Sequence, residues 1–494
     1  MPTEDELRAQ RLDKRARLMQ PGALSSGQPA YPARVERTHT AAAAFVASEG
    51  AGEPDPPQVS VAGRVTAQRV MGRAAFLDLR DGSGRIQLNL RRDILAEAFD
   101  ALDLLDVGDF VEAGGPLFRT RTGEVTVAVE RWRIITKALR PLPEKWHGIT
   151  DVETRYRQRY LDLIANERAR EVARRRAAVL AAIRAWHHAR DYIEVETPVL
   201  QEHAGGAAAR PFVTHHHALD RDLYLRISLE LHLKRLLVGG FDRVFELGRV
   251  FRNEGISRRH NPEFTLLESY EAYADYEDVA RNVEALIKHV ALDVTGSLQL
   301  EHGEHTIDLA QPWARTTYRA LLHEHTGIDY TAHTDVRDLR ALARERGVPV
   351  DEHASWGTAL DALMSALVEP KLIQPTFIFD YPAEFSPLAK RRADDPTLAE
   401  RFELFALGYE LANAYSEQND PVEQRERMLE QAAKQAGGDD EVELADEDFL
   451  LALEYGMPPA GGLGIGVERL VMLVTGEQSI REVILFPALR ERGG

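Results

Sequence analysis

Between Val59 and Lys137 the chain holds five short runs in which apolar and polar residues alternate: VSVAGRVTAQRV, AAFLDLRD, GRIQLNLRR, DFVEAGGPLFRT and EVTVAVERWRII. A period of two marks a strand with one buried face. The turn formers Asp81-Gly82-Ser83-Gly84 and Thr122-Gly123 fall between the runs. With a helical stretch near Asp93–Leu105, these strands predict a small closed β-barrel. Upstream, residues 3–20 predict a helix that opens on the capping-box pair Thr3 and Glu6 and stops at Pro21-Gly22. Residues 21–57, rich in Pro, Ala, Gly and Ser, read as a linker with little core, and Leu139–Trp146 (LRPLPEKW) reads as a connector.

Beyond the connector the pattern is mixed. Glu167–Arg190 predicts a long helix, Tyr192–Leu200 a strand up to Pro198, and Leu223–Leu237 a strand running into a helix with Glu230 near its start. Val244–Tyr273 is a strand, a basic loop (Gly255–Pro262) and a second strand. Residues 274–375 read as amphipathic helices and surface connections. Thr376–Asp380 is a strand, Arg401–Glu417 a strand pair, and Gly461–Val474 a Gly-rich strand feeding a helix.

Composition narrows the class. No run approaches the roughly 18 apolar residues of a membrane span. The charged N-terminal stretch lacks the apolar core of a secretory signal. There are no cysteines, which excludes a disulfide framework or thiolate metal site, and the cytoplasm is the expected compartment. A net charge of −18 argues against a surface that coats nucleic acid everywhere, while leaving room for local basic patches. One such patch is the first helix, with Arg8, Arg11, Lys14, Arg15 and Arg17, read as a solvated face or a phosphate contact.

The hairpin Val244–Tyr273 carries the densest chemistry. Alternation puts Phe245, Leu247, Arg249 and Phe251 on one face of its first strand and Glu246, Val250, Arg252 and Glu254 on the other. In the second strand Phe264, Leu266, Glu268 and Tyr270 share a face. A hairpin that aims an Arg, two Glu, a Phe and a Tyr at one cavity is poor core design. It suits a site that holds an anion, a flat ring and a cation together. Glu403 and Glu410 are seven apart, so a turn or bulge at Gly408 is needed to aim both at one place. Gly205–Phe212 is a small-residue loop where backbone can approach a ligand, and the barrel offers Phe76, Gln87 and Glu124 for single-stranded nucleic acid. His215, His216 and His217 look like a metal cluster, but strand neighbours point to opposite faces. The Gly-rich segment matches neither a P-loop nor a dinucleotide fingerprint.

Taken together, the strand ending at Pro198, F-R-x-E at Phe251–Glu254 and the Gly-rich GLGIGVER resemble motifs 1, 2 and 3 of class II aminoacyl-tRNA synthetases. The barrel, the RPLP connector and the phrases ARPFVTHH and FRNEGISRRHNPEFTLLE narrow the resemblance to the bacterial class II lysyl-tRNA synthetases, from about residue 3 to Pro487. It implies an α+β fold, an antiparallel sheet flanked by helices after an N-terminal OB-fold barrel. The expected divisions are a basic helix and linker (1–57), an anticodon-binding barrel (58–140), a connector (141–155) and a catalytic domain (156–494) with a helical insertion at about 274–375.

The resemblance also implies roles. Arg252 and Arg469 are the catalytic residues, Arg252 meeting the α-phosphate of ATP and the amino-acid carboxylate. Phe264 and Arg469 sandwich the adenine, Glu254 reads its amino group, and His260 with the loop arginines reaches the distal phosphates. Glu403 and Glu410 hold Mg²⁺, which prefers hard oxygen ligands, with Glu403 also counted in the ATP site. Glu268, Glu417 and Tyr270 receive the ε-ammonium of lysine, and Glu230, Asn413 and Gly206 with Arg252 hold its other end. Phe76, Gln87 and Glu124 contact the anticodon. The expected partners are ATP, L-lysine, tRNA(Lys) and a second copy of the chain, with no membrane.

Three positions depart from the commonest pattern of that family. Ser228-Leu229 replaces Ala-Pro, Ala414 replaces Gly, and Ser269 stands where a larger apolar residue is frequent. Taken as lying beside the lysine pocket, they suggest a variant or second copy with altered lysine affinity or inhibitor sensitivity. Two rival readings are an enzyme that lysylates a protein or lipid, and a silent RNA-binding paralogue. The barrel and the lack of a membrane region oppose the first. The intact Arg252, Glu254, Glu403, Glu410 and Arg469 oppose the second.

Overall fold

The strand Gln58–Met71 pairs along its length with two neighbours, Ala74–Arg80 and Phe110–Arg119, and so closes a barrel. The computed structural model describes residues 3–20, 30–50, 56–143, 149–203, 205–207, 209–436 and 446–490. The chain divides into two units, Met1–Thr150 and Asp151–Gly494. Parts of the expected linker and connector (21–29, 51–55 and 144–148) lie outside the described residues.

The barrel has six strands where the pattern predicts five. The run EVTVAVERWRII splits into Val125–Ala128 and Arg131–Thr136 because the chain changes partners. Its first half pairs with Arg85–Arg91 and with Leu117–Arg119, and its second half crosses to Phe110–Gly114. Val61, Val65, Leu77, Leu79, Leu88, Val111 and Val127 fill the interior. The first helix, Glu4–Leu18, carries the full Thr3–Glu6 capping box. Two of its expected phosphate contacts are used internally. Arg11 is buried and donates to the carbonyls of Val107, Ala138 and Arg140, and Lys14 pairs with Asp106. The linker also holds more structure than its composition suggests: Thr40 caps a helix, Ala41–Ala47, that buries Ala41 and Ala44.

The second unit is built on an eight-stranded sheet. In spatial order its strands are Ala314–Thr317, Thr376–Pro382, Leu398–Ala406, Tyr409–Ser416, Ala460–Gly466, Glu263–Ala272, Arg243–Phe251 and Ile193–Glu194. Only the two outermost pairings are parallel. The helices Glu167–His188, Tyr276–Thr295 and Val467–Thr475 bury Val179, Ile183, Val283, Ile287, Leu470 and Leu473 in one core with this sheet. The expected amphipathic helix is present at Tyr276–Thr295, its apolar face in the core, whereas Ala314–Thr317 is a sheet strand and not a surface connection. The helices at Tyr318–Thr326, Val336–Glu345 and Trp356–Leu367 have a separate core around Tyr318, Leu339 and Leu363. The expected strand Tyr192–Leu200 pairs with the sheet only at Ile193–Glu194, because Thr197 turns its N–H and hydroxyl to the Glu246 carboxylate.

Candidate active site

The hairpin Arg243–Phe251/Glu263–Ala272 pairs Glu246 with Glu268, Gly248 with Leu266 and Val250 with Phe264, so these residues share one face. Glu246 does not reach the cavity, being buried with the Arg226 guanidinium at 2.7 Å. Arg252, just past the first strand, donates to the Ile227 carbonyl at 3.3 Å and holds its guanidinium 5.3 Å from the Phe264 ring centre. That distance is within cation–π range. Around them lies a cavity of about 660 Å³ lined by every expected catalytic, ATP, lysine and metal residue: Gly206, Glu230, Arg252, Glu254, His260, Phe264, Glu268, Tyr270, Glu403, Glu410, Asn413, Glu417 and Arg469.

At one end of the cavity carboxylates and arginines alternate. Arg469 Nη1 donates to the Glu410 carbonyl (2.8 Å) and to its carboxylate (3.1 Å). His260 meets Ser257 Oγ at 2.9 Å and Arg469 at 3.4 Å, and burial together with the Arg469 cation holds its imidazole below the ordinary range. Arg259 donates to the Gly408 carbonyl at 2.8 Å. Glu403 accepts from Tyr381 at 2.9 Å and pairs with Arg401 at 2.5 Å. Burial pushes its carboxyl up to about 7, with Glu410 adding to the shift and Arg401 opposing it.

The turn at Leu407–Gly408 is what aims Glu410 at Glu403: it sets Phe405 opposite Glu410, and Phe405 shares a face with Glu403 two residues away. Leu404 pairs with Ala412 but Phe405 with Glu410, so Leu411 is the extra residue. The slip sets Asn413, rather than Ala412, opposite Glu403 and so brings it onto the face of Glu403 and Glu410. The hairpin reverses at Leu407 and Gly408, both at positive φ (57° and 71°).

Three buried glutamates gather at the other end. Glu268 accepts from Ser228 Oγ (2.9 Å), the Leu229 N–H (2.9 Å) and Tyr270 OH (3.0 Å), and burial pushes its carboxyl up to about 7. Glu230 accepts from Lys234 (2.5 Å) and Tyr415 OH (2.6 Å). Glu417 is 1% exposed and ion-paired with Lys234. The Gly-rich strand explains itself here. A Cβ on Gly462 would stand 1.8 Å from Glu417 Oε1 and 2.6 Å from the Tyr270 ring. The glycine makes room for side chains and is not part of a phosphate loop.

Of the three departures, one lines the cavity. Ser228 does, and Leu229 contributes its N–H to Glu268 while its side chain packs elsewhere. Ser269 and Ala414 point the other way, correcting the expectation that they border the lysine end. Strand alternation that faces Glu268, Tyr270 and Asn413 into the cavity must turn 269 and 414 to the opposite side, where Ser269 pairs with Phe245 and Ala414 joins the core.

Lys234, Arg401 and Tyr415 were missed in the sequence. Lys234 stands four residues after Glu230 on one helix, a spacing that places them together. Arg401 stands two before Glu403 on one strand and also donates to Asn413 Oδ1 at 3.0 Å. Both spacings were readable, but a Lys or Arg in such a run passes for a solvated residue.

In the barrel unit, Phe76 faces outward because Ala75, Leu77 and Leu79 turn into the core. Its strand partner is Asn89, and Asp78 stands opposite Gln87. Gln87 is buried and accepts from Thr126 Oγ1 at 3.1 Å, and Glu124 pairs with Arg85 at 2.7 Å. Phe118 sits beside Thr126 in register, and the sequence did not single it out.

A closed barrel ahead of an antiparallel sheet whose hairpin, bulged strand and Gly-rich strand build one charged cavity defines a class II synthetase architecture. The family described as tRNA synthetases class II (D, K and N) matches residues 151–490, and that described as OB-fold nucleic acid binding domain matches residues 59–135. The chain belongs to these class II tRNA synthetases. It is similar to the lysine–tRNA ligase of Nostoc sp., with 51% identity over 503 residues covering 99% of this chain and 89% of the relative. The lysine–tRNA ligase of Dehalococcoides mccartyi is 50% identical over 494 residues, covering 99% and 98%. That of Pelotomaculum thermopropionicum is 51% identical over 465 residues, covering 94% and 91%.

Proposed function

We infer that the chain is a lysine–tRNA ligase that acts in two steps within this cavity. The lysine carboxylate attacks the α-phosphorus of ATP, pyrophosphate leaves, and lysyl-adenylate forms. A ribose hydroxyl of the terminal adenosine of tRNA(Lys) then attacks the lysyl carbonyl, and AMP leaves. The observation that carries the reading is the meeting of Arg252 with three buried glutamates, Glu230, Glu268 and Glu417, in one cavity.

Two anions cannot approach each other in line without a cation between them, and Arg252 supplies it. Phe264 and Arg469 enclose the adenine, Glu254 takes its amino group, and His260 with Arg259 takes the distal phosphates. Glu268, Glu417 and Tyr270 receive the ε-ammonium, and Glu230, Asn413 and Gly206 hold the α-amino end. An uncharged side chain leaves buried carboxylates without a partner, which costs several kcal/mol.

A divalent ion suits Glu403 and Glu410. Both are hard oxygen donors facing the cavity. Among the described residues no three His, Cys, Asp or Glu side chains converge as a metal cluster. Mg²⁺ would therefore complete its shell with phosphate oxygens and water, and when bound it would neutralise charge on the phosphates.

Phe76, with Gln87 and Glu124, takes the anticodon bases on the barrel. The exposed Ile193, Val199 and Leu200 around Pro198 support a symmetric homodimer. No described helix is long and apolar enough to cross a membrane, and the cytoplasm is the proposed compartment. The altered lysine pocket rests on Ser228-Leu229 alone. ATP–pyrophosphate exchange tested with each amino acid decides the reading: exchange with lysine only is expected, and exchange with another amino acid, or none, overturns it.

A further inference from the structure

Lys234 is the fully buried ammonium of the cavity's amino-acid end. It lies 2.5 Å from Glu230 Oε1, is ion-paired with Glu417 Oε2 and stands 3.5 Å from the Leu388 carbonyl, between the rings of Tyr415 and Phe449. Its two carboxylate partners come from different elements, Glu230 from the first turn of helix Glu230–Val238 and Glu417 from just beyond strand Tyr409–Ser416. Glu230's second oxygen is taken by Tyr415 OH, whereas neither Glu417 oxygen has a hydrogen-bond partner among the described residues, Lys234 meeting Oε2 as an ion pair. The paired carboxylate thus keeps hydrogen-bonding capacity for an incoming donor.

Resting on the reading of this end as the lysine pocket, we propose that Lys234 is a positioning residue for the amino-acid substrate. Its shared ammonium locks Glu230 and Glu417 together and supplies the counter-charge that lets Glu417 meet a cationic side chain as a carboxylate.

Charge counting supports this. Glu230, Glu268 and Glu417 with Lys234 sum to −2, the complement of the two ammonium groups of a free diamino acid. The groups facing Glu417 are Lys234 and Glu230 from the helix, Glu268 and Tyr270 from the neighbouring strand, and Tyr415 from its own. Lys390, on the segment bridged to Glu417, turns its ammonium to Asn419 instead. Lys234 is therefore the cation of this set that reaches Glu417. Burial, Glu230 and Glu268 all push the Glu417 carboxyl upward, and Lys234 opposes them.

The test is Lys234→Met, assayed by ATP–pyrophosphate exchange across pH. Glu417 then takes a proton, and lysine's ammonium meets a neutral acid. Near pH 7 the KM for lysine is expected to rise about tenfold or more, with kcat and the KM for ATP little changed. The deficit relative to the unsubstituted protein should shrink steadily toward alkaline pH as Glu417 ionises. A purely structural role would leave a deficit that does not close with pH. A KM for lysine within about twofold of the unsubstituted value, or a deficit constant over that range, overturns the proposal.

Should Lys234→Met fail to fold, Lys234→Met/Glu417→Gln removes both charges together. Its lysine kcat/KM, taken as a ratio to that of the unsubstituted protein, should lack that alkaline climb, and a ratio that still climbs also overturns the proposal. If the unsubstituted protein shows no lysine-dependent exchange, the underlying reading fails instead, so the two failures are distinct.

Discussion

Gly462 lies so close to Glu417 that a Cβ on the glycine would stand 1.8 Å from the Glu417 Oε1 oxygen. The backbone of one strand is thus shaped to seat the carboxylate that projects from the end of its neighbour. Gly462→Ala should displace Glu417 and the Tyr270 ring, which would be met at 2.6 Å. The expected result is a rise in the KM for lysine of about 100-fold from the loss of charge-assisted contacts, with ATP binding retained. Steady-state exchange kinetics for the two substrates check it.

Glu268→Gln keeps the shape of the side chain and removes its charge. Its three donors, Ser228 Oγ, the Leu229 N–H and Tyr270 OH, can still meet the amide oxygen. The fold should persist while kcat/KM for lysine falls by about 10- to 100-fold, the worth of one charged hydrogen bond. Near-normal exchange kinetics would remove Glu268 from the ammonium site.

The pH dependence of lysine binding should report Glu268, whose carboxyl burial raises from 4.5 to about 7. In the window between those values the folded chain holds a proton that the unfolded chain has released. This group's contribution to stability is therefore lost as pH rises through the window. An ammonium ligand requires the ionised form, so lysine affinity measured by calorimetry without ATP should climb over the same interval. Ser228→Ala deletes a donor to the charged form and should move the climb upward by about half to one pH unit. An unmoved climb would also end the reading of Ser228-Leu229 as a modified pocket.

Phe76→Ala should impair charging of tRNA by about tenfold or more, the worth of one stacked base. Lysine-dependent pyrophosphate exchange should stay intact, because that reaction uses only the cavity of the second unit. Equal losses in the two assays would contradict a role for the barrel face in anticodon binding.

Arg226 and Glu246 form a buried pair at 2.7 Å, each about 4% exposed at the side chain, and Glu246 also anchors Thr197. Arg226→Ala leaves an unpaired buried carboxylate and should destabilise the second unit by about 3–5 kcal/mol. Urea denaturation followed by tryptophan fluorescence measures this. An unchanged midpoint would show that Glu246 finds another partner.

The sequence by itself determined the residue types and much of the local structure. Period-two runs announced the barrel, the Thr3–Glu6 pair announced the first helix, and alternation in the hairpin placed Phe264, Leu266, Glu268 and Tyr270 on one face. These are local properties, fixed by backbone periodicity and by hydrogen bonds a few residues apart. Only the tertiary structure decided which distant elements share a cavity and which charges face one another. It added a bulge at Leu411 to the turn at Gly408, turned Ser269 and Ala414 away from the site, and made Ala314–Thr317 a strand of the sheet. It also buried Lys234 between Glu230 and Glu417, two carboxylates 187 positions apart in the numbering. A lysine in an amphipathic run looks solvated until the packing of remote strands removes its water, and long-range packing leaves no periodic trace in the chain.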